Sequence, residues 1–385
     1  MTVQELKSAF VFAYHHEPDN IYFAPGHINL IGEHTDYDAR KVIPSLSFGI
    51  YFLIRKNNEK YVKFWSLNEP EAIRLELNQL TSPLVKTWVQ YPLSVFAEFI
   101  SQGFEFIEGF DILIWGNVPI DANFSTANAL KVITAYALNN QLGTNFITTS
   151  IEEITGKTEH EFAFVNYAVL EQHQTSKTPK DDMLNLKCDS LQNNFLPLKM
   201  EGMKIIISNT HTPHRIDIIS DKLRKDDCLL AVQQLNKVRP LKCLTELTEV
   251  EFKSIETFIS NPVALKRARH IVGEVQRSKD AINALKDGDL VHFGQLMNTS
   301  HDSLRDNFEI VSPEVDAMVA EAMKIDGVIG SRMTGSGFGG CTISLVKEEA
   351  IDTFIKRIGA IYETHTGIKN HFFIAEIGDS ACKLY

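Results

Sequence analysis

Two short segments near opposite ends of the 385-residue chain constrain it most. Ala24 to Tyr37 reads APGHINLIGEHTDY, and Ser331 to Thr342 reads SRMTGSGFGGCT. The first ends by gathering two carboxylates and an imidazole within four residues: Glu33, His34 and Asp36. Sugar hydroxyls need donors and acceptors packed closely, and such a cluster on a rigid loop supplies both. On its own, the same EHTD run is more often a solvated turn. The second segment holds four glycines in six positions, Gly335 to Gly340, which permits a tight turn that meets a ligand through backbone atoms.

The length favours two domains over one small core. A composition of 44% hydrophobic and 23% charged residues is ordinary for a soluble globular protein. A net charge of −11 and a pI near 5.6 argue against nucleic acid as a partner, since such proteins show a concentrated basic face. Anionic nucleotides are not excluded, because backbone N–H groups and one or two cations suffice to hold them. The N-terminal MTVQELKSAFVFAY reads as a short amphipathic helix rather than a signal peptide, and no apolar run approaches the ~20 residues of a membrane span. The five cysteines (Cys188, Cys228, Cys243, Cys341, Cys382) are scattered without metal-ligand spacing, as expected for reduced thiols in a cytoplasmic protein.

β-branched and aromatic content predicts strands at Ser47–Arg55, Tyr61–Ser66, Ala72–Leu77 and Phe110–Trp115. Helical patterns cover Trp88–Gln102, Thr126–Asn139 and Ser150–His173. After a strand at Ile205–Ser208, helical periodicity dominates from Ser220 to Lys324. Strands return at Gly327–Arg332, Cys341–Val346 and His371–Glu376, with a helix at Glu348–Glu363. The closing mixture of helices and strands suits an α+β domain. The polar, turn-rich QTSKTPKDD marks a boundary between residues 175 and 200, giving domains of 1–180 and 181–385.

The first segment closely resembles the N-terminal signature of the galactokinases, and Ser331 to Thr342 is similar to that family's C-terminal glycine-rich motif almost letter for letter. Lys266-Arg267-Ala268-Arg269-His270 and Asn298 to Leu304 resemble two of its helical landmarks, read here as packing and charge networks rather than chemistry. The resemblance runs from about residue 20 to the C-terminus. It implies the two-domain α+β fold of the wider sugar and metabolite kinase superfamily, with a ligand cleft between the domains. It also implies a sugar substrate such as galactose, contacted by Glu33, His34 and Asp36, with ATP and Mg²⁺ as co-substrate and cofactor. Gly335, Gly337 and Gly339 fall in its third motif, which either lines the ligand pocket or is needed to fold the C-terminal domain.

Several positions depart from the family. His27 stands where the family has an arginine beside the transferred phosphoryl group. A guanidinium is always charged and offers a planar donor fork, whereas an imidazole is shorter and has a reference pKa near ~6.5. The family's glycine-rich phosphate loop corresponds to Pro119 to Ala129, where Asp121 and Asn123 replace two glycines. Asp121 puts a negative charge where a triphosphate would lie. Asn123 can still adopt a left-handed backbone. Ser125 and Thr126 keep hydroxyls suited to phosphate or Mg²⁺, though Ser125 is explained more simply as the N-cap of the following helix.

Glu171 takes the position of the catalytic aspartate, with Phe164 and Ala168 at two glycines. A glutamate extends the carboxylate by ~1.5 Å, and misplacement on that scale can cost ~100-fold in rate. Pairing of Glu171 with Lys177 or solvent on a helix surface is as good an explanation as catalysis. A sugar-stacking tyrosine of the family maps near Asp221.

Three functional classes follow. One is a galactokinase-like protein with weak or no turnover, binding a sugar, a nucleotide or a regulated protein partner as a sensor. Another is an active galactokinase that phosphorylates the anomeric hydroxyl of galactose, with Glu171 as base and His27 as a weak electrostatic partner. A kinase retuned to another substrate is a third class, to which neither His27 nor Asp221 points. The substitutions favour the first.

Overall fold

The computed structural model describes residues 1–35, 40–81, 87–117, 126–144, 182–187, 192–197, 200–210, 218–335, 340–378 and 381–385. The expectations placed on Asp36, Asp121, Asn123, Ser125, residues 150–173 with Glu171, Gly337 and Gly339 lie outside the described residues. For Thr126 and Asp221 only the backbone is described.

The chain opens with helix α1 (Val3–Tyr14), whose start is fixed by a capping box. The Thr2 hydroxyl accepts from the Glu5 N–H, while the Glu5 carboxylate accepts from the Thr2 N–H at 2.6 Å. Strands β1 (Asn20–His27), β2 (Arg40–Asn57), β3 (Tyr61–Ser66) and β4 (Ile73–Glu76) follow, then helix α2 (Gln90–Ser101), β5 (Gly109–Gly116) and α3 (Thr126–Leu142). Among the described residues they build one sheet with β12 (Cys382–Lys383) in the order β12-β1-β2-β5-β3-β4. Alternation along β2 assigns its two faces. Leu53 packs with Leu6, Phe10 and Tyr14 of α1, while Phe52 and Ile54 pack with Phe96 and Phe99 of α2 and Ile133 of α3.

Strands β6 (Asp182–Lys187) and β7 (Gln192–Pro197) form a hairpin on the N-terminal half of β2, with Arg40 opposite Lys187 and Pro44 opposite Met183. The stretch read as a turn-rich boundary thus contains a hairpin hydrogen-bonded to the first sheet.

A second sheet joins β8 (Met203–Asn209), β9 (Val328–Thr334), β10 (Cys341–Lys347) and β11 (His371–Ala375) in the order β11-β8-β10-β9. The run Ile205-Ile206-Ile207 is fully buried because both faces of this sheet are covered. Ile205 and Ile207 face the long helices α6 (Pro262–Asp287) and α7 (Leu290–Ser303). Ile206 faces α8 (Pro313–Ala322) and α9 (Ile351–Thr366). Helices α4 (Ile218–Leu235) and α5 (Glu249–Ile255) pack on α6 in a separate apolar cluster.

The helical stretch expected from Ser220 to Lys324 is therefore several helices. The strand expected from Ser47 begins earlier, at Arg40, and β1 was not anticipated. Pro25-Gly26 near the end of β1 and Pro44 within β2 read as turn punctuation in sequence. Both are tolerated here, where β1 and β2 shift register between Pro25 and His27.

Helix α7 lies against β9 backbone to backbone. A Cβ on Gly294 would sit 2.2 Å from the Ile329 carbonyl oxygen, and one on Gly330 would sit 2.6 Å from the Gly294 Cα. Gly294→Ala is expected to destabilise by about 2–3 kcal/mol through this overpacking, seen as a lower urea midpoint at unchanged slope. The contact matters because β9 carries Arg332 and Thr334, which bind Glu33 of the first signature segment.

Candidate sugar site

The signature segment crosses from the first sheet into the second core. Ile28, Leu30 and Ile31 are buried with Ala281, Phe293 and Ile343, so the loop that follows is fastened to the C-terminal half of the chain. Gly32 takes a φ of 96°, which only glycine adopts cheaply, and His34 is left-handed at 55°. The Thr35 hydroxyl closes the turn by donating to the Gly32 carbonyl at 3.0 Å.

Glu33 and His34, expected to contact sugar, are brought against the third motif. Glu33 is 3% exposed, and its Oε2 accepts from Arg332 Nη2 at 2.6 Å. Its Oε1 accepts from the Thr334 hydroxyl and the Gly335 N–H, each at 3.0 Å. Arg332 is fully buried and also donates to the Asn29 carbonyl at 3.2 Å. His34 Nε2 lies 3.1 Å from the Gly335 carbonyl, which can only accept, so this nitrogen carries the proton. The His34 ring lies 5.3 Å from the ring of Phe308. A carboxylate has about four lone-pair sites, so Glu33 retains capacity to accept from a sugar hydroxyl beside its three protein donors.

Helix α6 supplies a second layer. Glu274 Oε1 accepts from the Gly32 N–H at 3.0 Å and from the Ser300 hydroxyl at 2.7 Å, while Oε2 accepts from Arg277 Nε at 2.7 Å. His270 Nε2 donates to the Glu33 carbonyl at 3.3 Å, and its Nδ1 accepts from the Ser303 hydroxyl at 3.0 Å. Burial alone would raise the Glu274 carboxyl. The charges of Arg277, His270 and Arg332, with the Ser300 hydrogen bond, outweigh it and hold the group at about 2. Burial pushes the His270 imidazole down to about 3 despite the attraction of Glu274, so it is neutral at physiological pH. His301, whose Nδ1 accepts from the Met333 N–H and whose Nε2 donates to Asp316, is also lowered, chiefly by burial.

These depressed imidazoles favour the unfolded state on acidification, because the unfolded chain takes up their protons first. Their stabilisation is fully present above the unfolded value of 6.5 and is lost as pH falls towards the folded values. His270 alone should remove about 2 kcal/mol between pH 7 and 5, measurable as a lower urea midpoint at pH 5.

His27 ends β1 just past the register shift. It is opposite Ser45 and 3% exposed, with both ring nitrogens shut off from solvent. The first turn of α3 begins at Thr126, as the helical pattern predicts. Arg267 on α6 donates to the Asn307 carbonyl and pairs with Glu309, in keeping with its reading as part of a packing and charge network.

The N-terminal signature matches the family model described as the galactokinase galactose-binding signature over residues 8–56, and residues 281–364 match the C-terminal model of GHMP kinases. The galactokinase of Clostridium beijerinckii is 36% identical over 385 residues, 99% of each chain. That of Clostridium acetobutylicum is 38% identical over 97% of this chain and 96% of its own. The chain belongs to the galactokinase family. The structure of Lactococcus lactis galactokinase complexed with galactose is similar over 100% of both chains, with a TM-score of 0.91 and 30% identity. A mevalonate kinase at 17% identity and a TM-score of 0.66 shares the fold.

Of the residues gathered at this turn, sequence reading named Glu33, His34 and Gly335 and did not name Glu274 or Phe308. Glu274 carried a usable signal: it is a lone carboxylate inside the apolar run Ile271-Val272-Gly273-Glu274-Val275. Phe308 looked like any core aromatic.

Proposed function

We propose that this galactokinase-family protein binds a galactose-type hexose on the Gly32–Thr35 turn and transfers phosphoryl groups weakly or not at all. The observation that carries the binding half is the buried clamp of Arg332, Thr334 and Gly335 on Glu33, which keeps the turn built and its polar groups ordered. The relative complexed with galactose supports the sugar class.

The family reaction forms a bond between the sugar's anomeric oxygen and the γ-phosphorus of ATP and breaks the bond to ADP. The hydroxyl proton passes to a base, for which this chain offers Glu171. ATP and Mg²⁺ would be held by the segment leading into α3, with Asn123, Ser125 and Thr126. The N-terminus of a 17-residue helix suits phosphate. The Asp121 carboxylate just before it does not. At His27 an imidazole replaces a guanidinium, a contact that is worth orders of magnitude where it acts on the transition state.

A fully active galactokinase is the second reading. The two Clostridium relatives support it more directly, since both are galactokinases, at 36% and 38% identity over nearly the whole chain. The division into domains of 1–180 and 181–385 goes with either reading, and a protein partner in a regulatory role goes with the first. A coupled assay with galactose and ATP–Mg²⁺ separates the two. Turnover within tenfold of an ordinary sugar kinase establishes the second reading and sinks the first.

A further inference from the structure

The turn that carries His34 is unfavourable by itself. A non-glycine residue in the left-handed region costs on the order of 1–3 kcal/mol and persists where its surroundings over-determine it. His34 follows Gly32, also at positive φ, within three residues. Two of the groups that fix this backbone come from one face of α6. Glu274 takes the Gly32 N–H, and His270, one turn earlier, holds the Glu33 carbonyl.

Both side chains are fully buried and are themselves held in place. Ser300 and Arg277 bind Glu274, while Ser303 binds His270 and accepts in turn from Asn307. The His270 ring is 4.7 Å from Phe308, the ring beside that of His34. Phe308 ends a π-helical turn (Leu304–Phe308) whose carbonyls are gathered by two arginines. Arg224 donates to Phe308 and Glu309, and Arg267 to Asn307. A π turn is an uncommon element that recurs at functional sites.

We propose that His270 and Glu274 are positioning residues for the sugar site, holding the Gly32–Thr35 turn in its left-handed form so that Glu33 and His34 meet the hexose pre-organised. This rests on the reading that the turn binds sugar. Neither residue touches the ligand; each acts through the backbone of the turn. Pre-organisation raises affinity by removing the ordering cost from the binding step. It also sharpens discrimination between epimers, whose hydroxyls differ in direction at one carbon.

The test uses the full chain carrying Glu274→Leu, which removes the acceptor for Gly32 together with the charge that binds Arg277. Amide hydrogen exchange without ligand is read at residues 31–35 and along α6, beside calorimetric titration with galactose and glucose. The expected result is exchange at the turn at least about tenfold faster with α6 still protected, and galactose binding weakened by a similar factor with a smaller galactose-to-glucose ratio. Unchanged exchange at the turn, or equal acceleration along α6 with unaltered affinity, overturns the proposal. Should Glu274→Leu not fold, Ser300→Ala removes one bond to Glu274 and is expected to give the same pattern at smaller size. Faster turn exchange in a chain whose unmodified form binds no galactose upholds the positioning role and overturns the sugar reading instead.

Discussion

Arg332→Met is expected to destabilise the protein by about 3–5 kcal/mol, because it strands the buried Glu33 carboxylate without its cation. The guanidinium is fully enclosed, and its Nη2 sits 2.6 Å from Glu33 Oε2. Thr334 and Gly335 still donate to the other carboxylate oxygen, but two neutral donors do not balance a desolvated charge. Adding Glu33→Gln should recover a large part of the loss, since the pair is then replaced by neutral groups. The recovery should show as a coupling energy in a double-mutant cycle on urea midpoints. Additivity of the two substitutions would mean that the pair does not hold the loop. Sugar binding should stay impaired in the double variant, because the turn loses its charged anchor even where the fold survives.

The second large effect is on turnover. The unmodified chain is expected to turn over galactose at least about 1,000-fold below the ~1–100 s⁻¹ usual for kinases, given what an arginine at the phosphoryl group is worth. His27→Arg with Glu171→Asp restores two of the altered positions and leaves Asp121 and Asn123 in place. A rise of about 100-fold or more in the double variant would assign the defect to the arginine and the base. An inert double variant would place it in the phosphate loop. A turnover of ordinary size in the unmodified chain would show that His27 and Glu171 serve the reaction as they stand.

Local pattern carried much of the fold. Tyr61–Ser66 alternates strictly in burial and is a strand over the residues expected, and Cys341–Lys347 and His371–Ala375 match to within a residue. Strand β1 was hidden because Pro25 and Gly26 carry turn chemistry, which only its neighbour β2 makes compatible with a ladder. At the site, the residue types of Glu33 and His34 pointed to hydroxyl recognition. Their partners could not be read, because Arg332 lies 299 residues from Glu33 in sequence and Glu274 lies 242 from Gly32. No local period encodes contacts of that span. The π turn beside His34 was equally invisible, since its conformation follows from arginines on two other helices.

Calorimetric titration of galactose into the intact protein, with and without ATP–Mg²⁺, tests the central claim most directly. Saturable binding of galactose, tighter than that of glucose and weakened by Arg332→Met with Glu33→Gln, is the predicted result. Absence of galactose binding by the folded, unmodified chain would contradict it.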